Sequence, residues 1–309
     1  IPNILASVGK PDLSTTLFGR KIDMPIFLSP SAMQRLYHSE GDKASARAAE
    51  KFNTFYSMSS MSNNSIEEIS NISSGPKLFQ LYVHKDKGLN NALIERCIDS
   101  NFEAMAVTVD TAVGGNRERD LYTGFTIPMK LKLNSIMSFA LHPMWALNYF
   151  IKPKWELSNL KDHIKEGTTV MTTIGDYFTK MLDNSLSWKD VEEINKKWGR
   201  QFAIKGIMSV DDAKKAIDVG ATAIMISNHG GRQLDGSRSP FDQLAEIVDA
   251  VGDKIDVICE GGIRRGTHVL KALSLGAKAC SGGRMYLYAL ASGGQKGVER
   301  SLTNLRNEI

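Results

Sequence analysis

Short apolar runs alternate with amphipathic helical patterns along most of this chain. Met24–Ser29 reads as a strand, and Asp42–Phe52, rich in alanine with its charges on one side, reads as a helix. Thr54–Met58, Lys77–Val83 and Ala104–Val109 read as further strands, with helices over Ser65–Asn71 and Leu89–Ser100 between them. The rhythm breaks from Thr111 to Ser187 and then resumes with a helix at Trp188–Trp198. Strands follow at Gln201–Lys205, Ala223–Ile226, Ile255–Cys259 and Ala277–Cys280. The helices between them are Val210–Val219, Phe241–Val251 and Gly266–Ser274, and a last one begins at Arg284. Strict β–α alternation implies a parallel sheet. Eight pairs imply closure into a (β/α)8 TIM barrel, although open doubly wound sheets share the local pattern. Several βα loops end in Gly, Ser or Asp, as loops entering helix N-termini do.

The length fits that picture. The chain has 309 residues, against roughly 250 for a plain barrel. Residues 1–309 therefore read as one barrel domain with a 111–187 insertion. The insertion follows the fourth strand, on the face where barrels place their active-site loops. A structureless loop of that size is improbable in a compact domain, so helices are expected within it.

Composition narrows the function classes. Hydrophobic residues are 42% and charged residues 23% of the chain, which excludes wholesale disorder. The formal net charge is +4. No basic stripe is interleaved with aromatic residues, so nucleic acid is not an expected partner. The three cysteines, Cys97, Cys259 and Cys280, are widely spaced. They point to neither a disulfide framework nor a metal site, and they suit a reducing, cytoplasmic setting. Ile1–Lys10 has neither a charged leader nor an apolar core, and no run reaches the roughly 20 apolar residues of a spanning helix.

Chemistry-bearing residues gather at predicted strand ends. Glu260-Gly261-Gly262-Ile263-Arg264-Arg265-Gly266 follows the seventh strand, and Ser281-Gly282-Gly283-Arg284 follows the eighth. Glycine turns opening onto helix N-termini suit a phosphate, with Arg264 and Arg284 as charge-assisted donors. After the sixth strand comes Ser227-Asn228-His229-Gly230-Gly231-Arg232-Gln233. His229 is a candidate general base and Arg232 a bidentate carboxylate clamp. Asp110, after the fourth strand, fits either a partner of that histidine or a helix cap. Arg117 fits either a second carboxylate contact or a surface charge. Lys205 ends a buried strand and must find an anion, shift its pKa or snorkel outward. Gln80 and Tyr82 share one strand face, as ligand contacts or as core filling.

Together these segments resemble the FMN-dependent 2-hydroxy acid oxidases and dehydrogenases. The resemblance runs through Pro30-Ser31-Ala32-Met33-Gln34, Ser59-Ser60, Gln80-Leu81-Tyr82-Val83, Thr108-Val109-Asp110-Thr111, Lys205-Gly206, Ser227 to Asp235 and Gly261 to Gly266. It implies FMN as cofactor, with Ala32, Ser59, Gln80 and Thr108 along the ring and ribityl chain. Ser227 would lie among the cofactor contacts and Lys205 beside the N1/O2 edge. Gly262, Arg264, Gly283 and Arg284 would hold the phosphate. Arg232, Arg117 and Tyr82 would bind a small L-2-hydroxy acid of lactate type. His229 would be the base with Asp110 its partner, Tyr82 standing beside them. Electrons would pass to a quinone, another carrier or O2, and the family implies a homo-oligomer, a tetramer. A barrel acting through FMN on a modified peptide, or a non-catalytic flavin binder, shares the cofactor signature but not the reason for pairing His229 with Arg232.

The chain also departs from the family. Glu260 stands where an aspartate is usual within reach of the flavin chain. Met61 stands where glycolate oxidases have tryptophan. Relatives begin with roughly one more helical segment carrying a pocket tyrosine. Finally, residues 121–155 contain no Asp or Glu. They carry Lys130, Lys132, Lys152 and Lys154 around Phe139, Trp145, Tyr149 and Phe150. That pattern suits peripheral contact with the inner, anionic face of a membrane, or a lid or oligomer contact.

Overall fold

The structure, a computed structural model, describes Gly9 and residues 11–123, 133–151, 156–161 and 180–309. The eight parallel strands read from the sequence close a barrel. A hairpin of β1 (Thr15–Leu17) and β2 (Arg20–Ile22) comes first. The barrel strands are β3 (Ile26–Leu28), β4 (Tyr56–Ser59), β5 (Lys77–Leu81), β6 (Ala104–Thr108), β7 (Gln201–Ile207), β8 (Ala223–Ile226), β9 (Asp256–Glu260) and β10 (Ala279–Gly282), and β10 pairs back onto β3. The helices are α1 (Asp42–Lys51), α2 (Ile66–Ile72), α3 (Lys87–Asp99), α4 (Glu118–Thr123), α5 (Leu133–Leu141), α6 (Pro143–Ile151), α7 (Trp188–Trp198), α8 (Val210–Asp218), α9 (Pro240–Val251), α10 (Gly266–Ser274) and α11 (Arg284–Glu308). Predicted boundaries move by only a few residues. The insertion contains helices, as its length required, and α4, α5 and α6 all lie in it.

Alternation along the strands builds two cores. Outward positions such as Ile26, Leu28, Phe79, Leu81, Val107, Phe202 and Ile204 belong to the cluster shared with the helices. Inward positions Phe27, Leu78, Ala104, Ala106, Ala203, Ala223, Met225, Ile258 and Ala279 belong to the barrel's own cluster. Continuing each inward series by two residues reaches Ser29, Gln80, Thr108, Lys205, Ser227, Glu260 and Ser281, all buried and all polar. The interior therefore changes from apolar to polar at the C-terminal end of the barrel, where such barrels carry their sites.

The hairpin and the short 3-10 helix Gln34–Leu36 escaped the sequence reading. Leu17, Phe18 and Ile22 join the inner cluster with Phe27 and Phe55, so the hairpin closes the N-terminal mouth. Its two-residue loop is Phe18-Gly19, with φ of 48° and 69°. Those angles match the twist a tight hairpin needs, but phenylalanine is no turn signal. Residues 1–8 and 10, on which the absence of a leader was read, lie outside the described residues, as do Lys130, Lys132, Lys152 and Lys154 and the side chain of Phe150.

Phe55 is fully buried and meets Phe18 and Phe27 edge-on, with centroids 5.4 and 6.3 Å away. Phe55→Ala is expected to cost about 3–5 kcal/mol in urea denaturation. The bound-flavin spectrum should not move, because the polar mouth is at the other end.

Candidate active site

Strand register assembles the polar mouth. Ser59 lies opposite Gln80, Thr108 opposite Lys205, and Ser281 opposite Glu260. Ser59 Oγ donates to Gln80 Oε1 at 2.9 Å, and Gln80 Nε2 donates to Thr108 Oγ1 at 2.8 Å. Lys205 Nζ lies 2.8 Å from Glu260 Oε1 and 3.3 Å from Ser227 Oγ. Ser227 and Ser281 donate to the two Glu260 oxygens at 3.1 and 3.0 Å. Lys205 is only 3% exposed and Glu260 8%. Of the fates open to Lys205, it takes the anionic partner. Burial favours the neutral amine, but Glu260 and Asp110 outweigh it and hold Lys205 above the usual lysine range. Ser281 belongs to this ring although the sequence reading assigned it no role. Its signal was the inward parity it shares with Ala279.

A second constellation stands at the rim. His229 has φ 58°, and Gly230 and Gly231 follow at 68° and 71°. A left-handed histidine costs about 1 kcal/mol or more. It is held there by its backbone N–H, which donates to Ser227 Oγ at 3.0 Å. Its Nδ1 lies 2.9 Å from Asp110 Oδ1, and its Nε2 lies 3.2 Å from Tyr82 Oη. An ionised carboxylate only accepts, so Nδ1 carries the proton toward Asp110 and Nε2 presents its lone pair. Burial alone would raise Asp110, but the bond from His229 and the charge of Lys205 hold it below the usual aspartate range. Burial, followed by Asp110, raises the Tyr82 phenol, so it stays protonated and donates to Nε2. Asp110 reaches this position across Gly206, where a Cβ would stand 2.8 Å from the Asp110 Cβ.

Beside the triad lie Arg117 and Arg232. Burial and then the neighbouring Arg232 charge lower Arg117 from the usual range, although an arginine stays charged. Arg117 Nε is buried without a hydrogen-bond partner among the described residues. Neither guanidinium has a carboxylate within ion-pair distance among those residues. Gly115 lets the two loops meet, since a Cβ there would lie 2.2 Å from the Arg232 carbonyl oxygen. Tyr37 shares this neighbourhood: burial raises its phenol, and Arg232 and Arg117 pull it back. No sequence signal marked Tyr37.

The two glycine turns flank the mouth. Gly283 caps α11 and Arg265 caps α10 without side-chain hydrogen bonds. In contrast, Ser187, Ser209 and Ser239 cap α7, α8 and α9. A Cβ on Gly262 would meet nothing within 4 Å, so the turn faces open space. Arg284 Nη2 donates to the Gly230 carbonyl at 2.7 Å, tying this turn to the histidine loop. Arg264 is exposed, and its backbone N–H donates to His268 Nδ1. Ala32 packs partly buried against the outer core. Among the described residues no cluster of His, Cys, Asp and Glu could hold a metal ion.

A family model for FMN-dependent dehydrogenases matches residues 1–309. This chain belongs to the FMN-dependent 2-hydroxy acid oxidase and dehydrogenase family. L-lactate oxidase of Nostoc sp. is 38% identical over 312 residues, covering all of this chain and 80% of that protein. Glycolate oxidase of Spinacia oleracea is 37% identical over 308 residues, covering all of this chain and 78% of its own. The crystal structure of the monotopic membrane protein (S)-mandelate dehydrogenase superposes with a TM-score of 0.91 at 32% identity, over 99% of this chain and 81% of that one. As a member, the chain is an FMN-dependent enzyme that oxidises 2-hydroxy acids. Its residues fit the cofactor. The mouth offers a buried ammonium and a row of amide and hydroxyl groups for a polar ring edge. The turns offer the uncapped start of α11 behind Gly283 and two arginines for a phosphate, whereas at α10 the Gly266 N–H already donates to Glu308 Oε2 at 2.7 Å.

Breaking the buried ion pair tests the ring. Lys205→Met leaves Glu260 buried and unpaired and is expected to cost about 3–5 kcal/mol, much of it recovered in Lys205→Met/Glu260→Leu. Because Lys205 is raised on folding, the pair's contribution is fully present below the ordinary lysine pKa and is lost as pH rises through the folded one. The wild type should therefore lose stability on the alkaline side faster than the double variant, by denaturation across pH.

Proposed function

We propose that this protein oxidises a small, lactate-like L-2-hydroxy acid to its 2-oxo acid, with His229 as base and Arg232 and Arg117 as the carboxylate clamp. The observation that carries it is the oriented Asp110–His229–Tyr82 relay beside two guanidinium groups without a carboxylate of their own. The substrate's carboxylate supplies the missing anion, and Arg232 offers it a planar fork. Tyr82 bonds the substrate hydroxyl or carboxylate. His229 accepts a substrate proton at Nε2, and Asp110 stabilises the resulting imidazolium. In this reading Ala32, Ser59, Gln80, Thr108, Ser227 and Glu260 line the cofactor, with Lys205 at its electron-rich edge. Gly262, Arg264, Gly283 and Arg284 hold its phosphate. When bound, FMN supplies the two-electron acceptor. Similarity to an L-lactate oxidase supports the small substrate.

Anaerobic mixing with L-lactate, glycolate and (S)-mandelate, followed by flavin absorbance, tests the reading. Bleaching by lactate ahead of the others is expected, and no bleaching by any of them refutes it. Arg232→Lys should lower kcat/KM about ten- to hundredfold, since the bidentate charge-assisted bond is lost. An unchanged kcat/KM would remove Arg232 from the clamp.

The insertion extends the proposal to a membrane surface. Leu133, Met137, Leu141 and Met144 are each at least 60% exposed on α5 and α6. Among the described residues no helix is long and apolar enough to cross a membrane. The apolar faces instead suit shallow insertion, with the flanking lysines drawn to anionic headgroups. Co-flotation with anionic liposomes at low salt is expected, and it should be lost in a Leu133→Glu/Leu141→Glu variant. Wild type that stays unbound at low salt would end the membrane reading.

A further inference from the structure

Behind the polar mouth, among the outer core residues, lies a buried hydrogen-bond network that neither the triad nor the carboxylate clamp uses. Gln34, Asp42, Tyr56 and Tyr286 are each at most 1% exposed. Gln34 Nε2 lies 3.2 Å from Tyr286 Oη, 3.3 Å from the Ser31 carbonyl and 3.4 Å from Tyr56 Oη, and its two hydrogens are shared among them. Its Oε1 accepts from Ser45 Oγ of α1 at 2.7 Å. Tyr56, at the start of β4, donates to Asp42 Oδ1 at 2.6 Å, and Tyr286, in the first turn of α11, donates to the Ser29 carbonyl at 2.9 Å. Burial raises both phenols, so each keeps its proton for that bond.

The network ends on one segment. Its donors reach the carbonyls of Ser29 and Ser31, where β3 turns into the loop toward α1. The far end of that loop is held by Met33, which adopts a left-handed φ of 57° and donates its N–H to the Met61 carbonyl at 3.2 Å. Between these pins the Ala32 N–H has no acceptor among the described residues. Ser31 Oγ would lie 3.6 Å from a Cβ on Gly283, so the loop stands beside the turn that opens α11. Polar side chains buried in an apolar shell are costly unless they are bonded, and once bonded they fix one arrangement. The arrangement fixed here is that of a free backbone donor at the mouth.

We infer that Gln34 and Tyr286, backed by Tyr56 and Asp42, are positioning residues that lock the Ser29–Met33 backbone and so preset the Ala32 N–H as a donor to the cofactor. The inference rests on the proposed placement of Ala32 along the flavin. Tyr286 acts through the Ser29 carbonyl and Gln34 through that of Ser31, and both are fully buried, so their influence passes through the loop. A donor held in place beforehand needs no reorganisation when charge on the ring changes, and it tunes the ring's electron demand.

The FMN-loaded protein is titrated with sulfite, which adds to the oxidised flavin ring and bleaches it without any hydroxy acid, and thermal unfolding is followed in parallel. Tyr286→Phe and Gln34→Met should each weaken sulfite binding about fivefold, the worth of roughly one hydrogen bond, and shift the flavin absorbance bands. Tyr286→Phe removes a single oxygen, so the test does not depend on Gln34→Met folding. A variant that folds but no longer retains FMN supports the inference as the same loss carried further. Wild-type sulfite affinity and absorbance in both variants, whatever their unfolding temperatures, would make the network a brace for the fold alone and overturn the inference. Ala32→Pro removes the N–H itself. If that variant too binds sulfite like wild type, the placement of Ala32 is at fault; if it alone weakens sulfite binding, the role given to the network is. Hydroxy acids that fail to bleach the wild type would strike the substrate reading and leave this one intact.

Discussion

An ammonium group buried inside a barrel is the constraint around which this site is organised. Lys205 ends the inward series of β7 and cannot reach water at 3% exposure. Leaving such a charge unpaired costs several kcal/mol. Glu260 on β9 supplies the opposite charge, and Ser227 and Ser281 complete the carboxylate's hydrogen bonds. A buried ion pair is a poor source of stability compared with an apolar pair of the same volume. Its presence where the interior turns polar therefore speaks for chemistry: a positive charge held rigidly, with its own counter-ion set to one side. The serine that bonds both members of the ion pair also accepts the backbone N–H of His229, so the polar ring and the histidine loop share one hydroxyl.

That shared hydroxyl explains why a left-handed histidine persists. Three consecutive residues with positive φ swing the loop after β8 back over the mouth, bringing His229 against Asp110 from β6 and Tyr82 from β5. Two further contacts set the loop: Gly206 lets Asp110 come close, and Arg284 grips the Gly230 carbonyl. Arg284 thus serves both the turn at α11 and the position of the histidine loop. A ligand anion at that turn would compete with or reinforce its grip on Gly230, which links the start of α11 to the histidine loop.

Most of this was legible in the sequence because each part has a local signature. The barrel showed as strand–helix alternation, and the rim residues showed as polar clusters at strand ends. The parity of Gln80 and Tyr82 held because side-chain direction in a strand has period two. What escaped had no local signature. The Phe18-Gly19 hairpin carries an aromatic residue where turns favour Asn or Asp, and its conformation is set by burial against Phe27 and Phe55. Asp110 fitted a helix cap, and Arg117 a surface charge, equally well. Only the register of β6 beside β7, and the approach at Gly115, bring them to His229 and Arg232. Tyr37 could not be found at all, since it is singled out only by the electrostatic proximity of the loop after β3 to residues more than seventy positions later.

The charge pattern at the rim is also left unbalanced by the fold. Arg117 and Arg232 repel one another, and the described fold places no carboxylate between them, so the pair is stabilised by whatever anion enters. Any such anion would become part of the rim's electrostatic balance. Once the anion is bound, the net field at Tyr37 falls, because the two charges that act on its hydroxyl are partly neutralised. Tyr37, on the loop after β3, shares the electrostatic surroundings of this pair.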